Sequence, residues 1–174
     1  GAAYILSGGA ISEVDQIRVD EGMFVVDGTG SEPITEIFAY EYRTNRGNGD
    51  TTTKFIAGPE GVTPIDAGDV QIDSPDGQTL VVDISAYDTS NGDLVLFRYG
   101  SMIGEFETVT IIGGTADVDY EGAGGQIVLT NFGPDPSGPP VITAQSPAAD
   151  GTVIGKVTHG DVTFYEAVTG VAAG

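Results

Sequence analysis

The feature that most constrains this chain is a period of two. Apolar and polar side chains alternate along short segments, and no stretch sustains a helical repeat. The clearest case is ITEIFAYEYR, from Ile34 to Arg43. Read as a strand, it places Ile34, Glu36, Phe38, Tyr40 and Tyr42 on one face, and Thr35, Ile37, Ala39, Glu41 and Arg43 on the other. Before it comes GMFVVDG (Gly22 to Gly28), a short apolar segment ending in Asp-Gly. After it come NRGNGD and the threonine-rich TTTKFIAG. TLVVDISAYD, LVLFRYG, the run from Gly104 to Phe132 and the segments around His159 repeat the pattern, giving about ten to twelve strands at a spacing typical of barrels and sandwiches. Glycine, with 27 residues, punctuates them.

Short turns between meandering strands close most simply into an antiparallel up-and-down β-barrel, which leaves no sheet edge exposed. A β-sandwich is the alternative. The 174 residues fit a single domain over 1–174, with an extra strand-containing insertion at about 62–104.

Charge narrows the function classes. Six Lys+Arg against 26 Asp+Glu give a formal net charge of −20. Such a surface repels phosphate backbones and anionic headgroups, so nucleic-acid binding is not expected. No apolar run reaches the roughly 20 residues of a membrane-spanning helix, so membrane insertion is not expected either. With no cysteine, thiol catalysis and thiolate metal sites are absent. The opening GAAYILSGG reads as a processed mature chain or a trimmed one, and on the first reading an extracellular or secreted protein is expected.

Three blocks resemble the dirigent proteins and the allene oxide cyclase-like barrels. Gly22, Phe24, Val25, Val26, Asp27 and Gly28 match the family's first strand and turn. Phe38, Tyr40 and Tyr42 match its aromatic strand, and Asn48, Gly49, Asp50, Thr51 and Gly58 the hairpin that follows. Gly113, Gly114 and Thr115 are similar to its Gly-Gly-Thr segment, with Ala116 and Val118 departing from it. Asp161, Val162, Tyr165 and Glu166 resemble its last strand. The resemblance implies a barrel that holds a small hydrophobic molecule and orients it for stereoselective coupling or cyclisation, by proximity more than by acid–base chemistry. On that reading Phe38, Tyr40, Tyr42 and Tyr99 bind the substrate. Asp27, Glu41 and Arg98 carry the chemistry, with Asp83 a further acidic candidate.

The sequence keeps other readings open. His159, the only histidine, lies in a turn, where solvation is its ordinary role. No cofactor is expected, though Asp73 and Asp76, and Asp88, Asn91 and Asp93, place hard oxygen ligands in turns without the EF-hand spacing, so calcium is the one candidate ion. A secreted carbohydrate-binding module is a weaker option in a chain without tryptophan. From a different class comes an extracellular structural subunit, of a filament, coat or surface layer. It would be a homo-oligomer that self-assembles by β-strand addition, without catalysis. Acidic, cysteine-free, threonine- and glycine-rich composition motivates that alternative.

Overall fold

The chain is described by a computed structural model that covers residues 2–44, 50–72, 77–122, 124–134, 142–146 and 161–164. Two compact units separate, residues 1–135 and residues 136–174. Of the second, the described part is an antiparallel pair, β12 (Ile142–Ser146) with β13 (Asp161–Phe164).

The first unit carries eleven strands: β1 (Ala2–Leu6), β2 (Gly9–Val19), β3 (Gly22–Asp27), β4 (Ile34–Thr44), β5 (Thr51–Ile56), β6 (Ile65–Ile72), β7 (Gln78–Asp83), β8 (Leu94–Ile103), β9 (Thr108–Ile112), β10 (Thr115–Gly122) and β11 (Gln126–Gly133). Odd and even strands part company. Sheet A runs β1-β3-β5-β7-β9, and sheet B runs β10-β11-β8-β6-β4-β2. Within sheet A every pair is parallel, and so are the pairs β2–β4, β4–β6 and β6–β8 of sheet B. The chain therefore winds as a β-solenoid of about three turns. This corrects the expected antiparallel up-and-down barrel: β3 pairs with β5 and not with its sequence neighbour β4. Two sheets do face each other across a core, as the sandwich alternative supposed, but they are the two walls of one coil. Residues 62–104 contain β6, β7 and β8, which occupy interior places in the two sheets.

The corners explain why Asp-Gly does not make a hairpin here. Asp27 Oδ1 accepts hydrogen bonds from the Thr29 amide at 2.9 Å and the Thr29 hydroxyl at 2.6 Å. Asp83, two coils on in the same column, accepts from the Ser85 amide at 3.1 Å. These side-chain-capped turns deflect the chain from sheet A towards sheet B instead of reversing it. The parallel ladder then continues through the corner, with Gly28 N bonded to Ile56 O at 2.8 Å, Ala57 N to Asp83 O and Ile84 N to Ile112 O, both at 2.9 Å.

Stacking in register makes the core a set of side-chain columns. Leu6, Val26, Phe55, Val82 and Ile111 form one, and Ile17, Tyr42, Val70 and Met102 another on the facing sheet. An aromatic line crosses between them. Tyr42 and Phe97 lie 5.0 Å apart, Phe55 and Phe97 5.4 Å, and Phe24 stacks under Tyr4 at 5.7 Å. Burial of this kind is the main stabilising term, at about 1.5–3 kcal/mol per large side chain.

The even strands do not keep a strict period of two. In β4 the buried positions run Ile34, Ile37, Ala39, Tyr42, Thr44, and in β6 they run Ile65, Ala67, Val70, Ile72. Both strands bend at the same height, where Gly68 lies against Tyr40 and Gly100 against Gly68. A Cβ on Gly68 would stand 2.7 Å from Tyr40 O, and one on Gly100 2.8 Å from Gly68 O. Glycine is needed here because backbone occupies the space.

Gly68→Ala should therefore destabilise the protein by about 1–3 kcal/mol, because the neighbouring coil must shift. Urea unfolding measures this, and a change within experimental error of zero would contradict the stacked bend.

Candidate functional site: the open edges of sheet A

The seven residues singled out from sequence are not brought together. Tyr42 is fully buried between the sheets, while Phe38 and Tyr40 lie on the outer face of β4, paired edge to face at 5.4 Å. Glu41 accepts from Gln16 Nε2 at 2.6 Å and lies 3.5 Å from Arg43. Arg98 forms an exposed ion pair with Asp66 at 3.3 Å. Tyr99 donates its hydroxyl to the Tyr120 carbonyl at the β10–β11 hairpin. Asp27 is the corner cap described above. Sheet B thus separates the predicted aromatic residues into an inner and an outer set.

The calcium candidates divide likewise. Asp73 and Asp76 lie outside the described residues, as does His159. Asp88 caps a 3-10 turn at Thr89–Asn91, accepting from the Ser90 amide at 3.0 Å and the Ser90 hydroxyl at 2.7 Å. Those bonds hold its carboxyl below the usual range. Asn91 donates to Pro59 O at 3.1 Å. Among the described residues no group of three or more His, Cys, Asp or Glu side chains is placed to hold a metal ion.

What the structure does concentrate lies at the ends of the coil. Within the described unit β1 pairs with β3 alone and β9 with β7 alone, so sheet A has an unpaired edge at each end. Neither strand, AAYIL or TVTII, carries a charge or a proline. Of the six large apolar side chains left exposed among the described residues, four are on these strands: Tyr4, Ile5, Val109 and Ile112. Tyr4 continues the column of Phe24 and is still 57% exposed, and Ile5, on the outer face, is 61% exposed. Behind β1 opens a groove of about 1040 Å³ between β1 and β2, lined by Tyr4, Ile11, Val14, Ile17 and Phe24, with Arg18 on its rim.

Sheet B ends differently. Its edge strand β2 carries Glu13, Asp15 and Arg18, and Glu13 sits at φ 53° in a bulge where β2 slips against β4. At the other end β10 presents Asp117, Asp119 and Glu121, all exposed. Charges and bulges are the means by which proteins stop edge strands from pairing. Sheet A lacks both. Sequence reading missed this because edge status depends on strand order, and local alternation carries no information about strand order.

One polar contact links the two walls inside the core. The Tyr42 hydroxyl and Thr53 Oγ1 lie 2.6 Å apart, on β4 and β5. Desolvation raises the Tyr42 phenol well above its ordinary value, partly offset by the Thr53 bond. No family model, no curated protein and no solved structure matches the chain.

Because the folded-state pKa of Tyr42 is raised, its contribution to stability is fully present below the unfolded value near 10 and is lost as pH rises beyond it. Stability should fall above about pH 10 by up to about 1.4 kcal/mol per pH unit for this one group. Tyr42→Phe should cost about 0.5–1.5 kcal/mol at neutral pH and make the alkaline decline shallower. Urea unfolding at a series of pH values tests both, and an unchanged alkaline slope in the variant would contradict the assignment.

Proposed function

We propose that this chain is a structural building block, extracellular in setting, that assembles with copies of itself by β-strand addition. Its work lies in the surfaces it presents to other copies, with no catalytic step. The observation that supports this reading is the contrast between the two sheets. The edges of sheet A are free of bulges and uncharged, whereas those of sheet B are bulged or acidic. An unguarded edge offers unpaired N–H and C=O groups in a row, and an added strand satisfies them while its side chains complete the adjoining columns. A solenoid suits such a role, since each coil already templates the next.

The formal charge of −20 opposes association at long range. Screening shortens that repulsion from about 30 Å at 0.01 M salt to about 3 Å at 1 M, while apolar and backbone contacts persist.

Sedimentation velocity and negative-stain electron microscopy should show oligomers that become more abundant as salt rises. Thr110→Lys, which places a charge on the exposed outer face of the β9 edge, should reduce the larger assemblies while leaving the urea midpoint nearly unchanged. A protein that stays monomeric at tens of micromolar (about the working range of both methods) in low and high salt would overturn the proposal.

A further inference from the structure

The two ends of the coil differ in shape, and the difference decides how copies can meet. At the C-terminal end sheet A has one strand beyond β7, namely β9, while sheet B has two beyond β8, namely β11 and β10. The coil climbs one strand spacing, about 4.8 Å, in passing from β1 to β3, so each even strand lies roughly half a spacing above the odd strand before it. On that scale β10 stands about one and a half spacings beyond β9. A second solenoid arriving with its β1 on β9 would need that same place for its own β2. Two β9 edges brought together would set β10 against β10 in the same way. The β9 edge can accept a single strand, but not the end of another coil.

The N-terminal end has the opposite form. β1 is the outermost strand and β2 lies half a spacing behind it. Two β1 edges can approach to strand distance while their β2 strands stay about two spacings apart, leaving room for the Glu13 bulge and for Asp15 and Arg18. The groove behind β1 then faces its own symmetry copy, and Tyr4, Ile11, Val14, Ile17 and Phe24 are shielded from both sides.

We infer that the N-terminal end is a self-association face, and that two copies join there through antiparallel pairing of β1 with β1 about a two-fold axis. This rests on the self-assembly reading above and gives it a first, closed step. Centring the pair on Tyr4 brings all five residues into register: Ala2 opposite the partner's Leu6, Ala3 opposite the partner's Ile5, and Tyr4 opposite the partner's Tyr4. Tyr4 and Leu6 stay on the inner face, where their columns continue through Phe24 and Val26. Ala3 and Ile5 stay on the outer face. The strand AAYIL is self-complementary in this arrangement, with no charge placed against a like charge. Isologous two-fold contacts of this kind are the commonest in soluble oligomers.

The absence of native cysteine makes the test direct. Residues directly opposite in an antiparallel pair have Cα atoms about 4.5–5.5 Å apart, within disulfide reach, whereas diagonal neighbours at about 7–8 Å are not. In the chain of residues 1–174 under mild oxidation, Tyr4→Cys alone should give a covalent dimer on a non-reducing gel. Ala3→Cys with Ile5→Cys should do the same from the outer face, which leaves the Tyr4–Phe24 stacking intact. Ala3→Cys alone should stay monomeric on the gel. Ala3→Lys with Ile5→Lys, which sets lysine against lysine across the axis, should abolish the dimer in sedimentation velocity at an unchanged unfolding midpoint. Efficient cross-linking of Ile5→Cys with Thr110→Cys would show that coils join head to tail and overturn the two-fold. So would oligomers in which neither β1 cross-link forms, and in both cases self-assembly itself would stand. A wild-type chain that is monomeric at every concentration and salt would overturn the two-fold and the assembly reading together.

Discussion

The parallel hydrogen-bond ladder between strands one coil apart is the constraint from which the rest follows. It fixes the register in which Leu6, Val26, Phe55, Val82 and Ile111 stand over one another, and so turns scattered apolar residues into continuous columns. It also requires that the coils bend at the same height. Tyr40, Gly68 and Gly100 answer that requirement on sheet B, because any Cβ at the two glycines would meet the backbone of the coil before it. The corner carboxylates Asp27 and Asp83 belong to the same demand, since they hold successive corners in one shape.

A ladder that continues from coil to coil must end somewhere, and the two sheets end in different ways. Sheet B finishes in the antiparallel β10–β11 hairpin, which reverses the strand direction against β8 and presents three carboxylates outward. At its other end β2 is bulged and charged. Sheet A finishes at both ends in bare strands without charge. Structure and proposed role connect at this point. On the proposed role, protecting one sheet while leaving the other open would direct strand addition to two sites, and the projecting β10 would let only one of them accept another whole coil.

Much of the local structure was legible in the sequence. GMFVVD, the stretch from Ile34 to Arg43, TTTKFI and LVLFRYG all form strands close to where the alternation places them. Pairing was not legible. Asp27-Gly28 reads as a hairpin turn, and nothing local distinguishes a chain reversal from a corner that hands the strand to a second sheet. The coil repeat escaped notice because its length varies: Ala2 stands beside Gly22, Gly22 beside Thr51, and Thr51 beside Gln78, steps of 20, 29 and 27 residues. Strict alternation also misplaced part of β4. It grouped Tyr40 with Tyr42, but the bend turns Tyr40 out to solvent and buries Tyr42 against Thr53. The open edges of sheet A were not legible, because none of Tyr4, Ile5, Val109 and Ile112 stands out until the strand order is known.

The parallel coil is most directly tested by backbone nuclear Overhauser contacts in a uniformly labelled sample. The account predicts cross-strand contacts between Val26 and Phe55 and between Phe55 and Val82, with Tyr42 close to Val70, all in parallel register. Antiparallel contacts linking β3 to β4 and β4 to β5 would mean a meander of hairpins, and the coil, its open edges and the assembly built on them would all be contradicted.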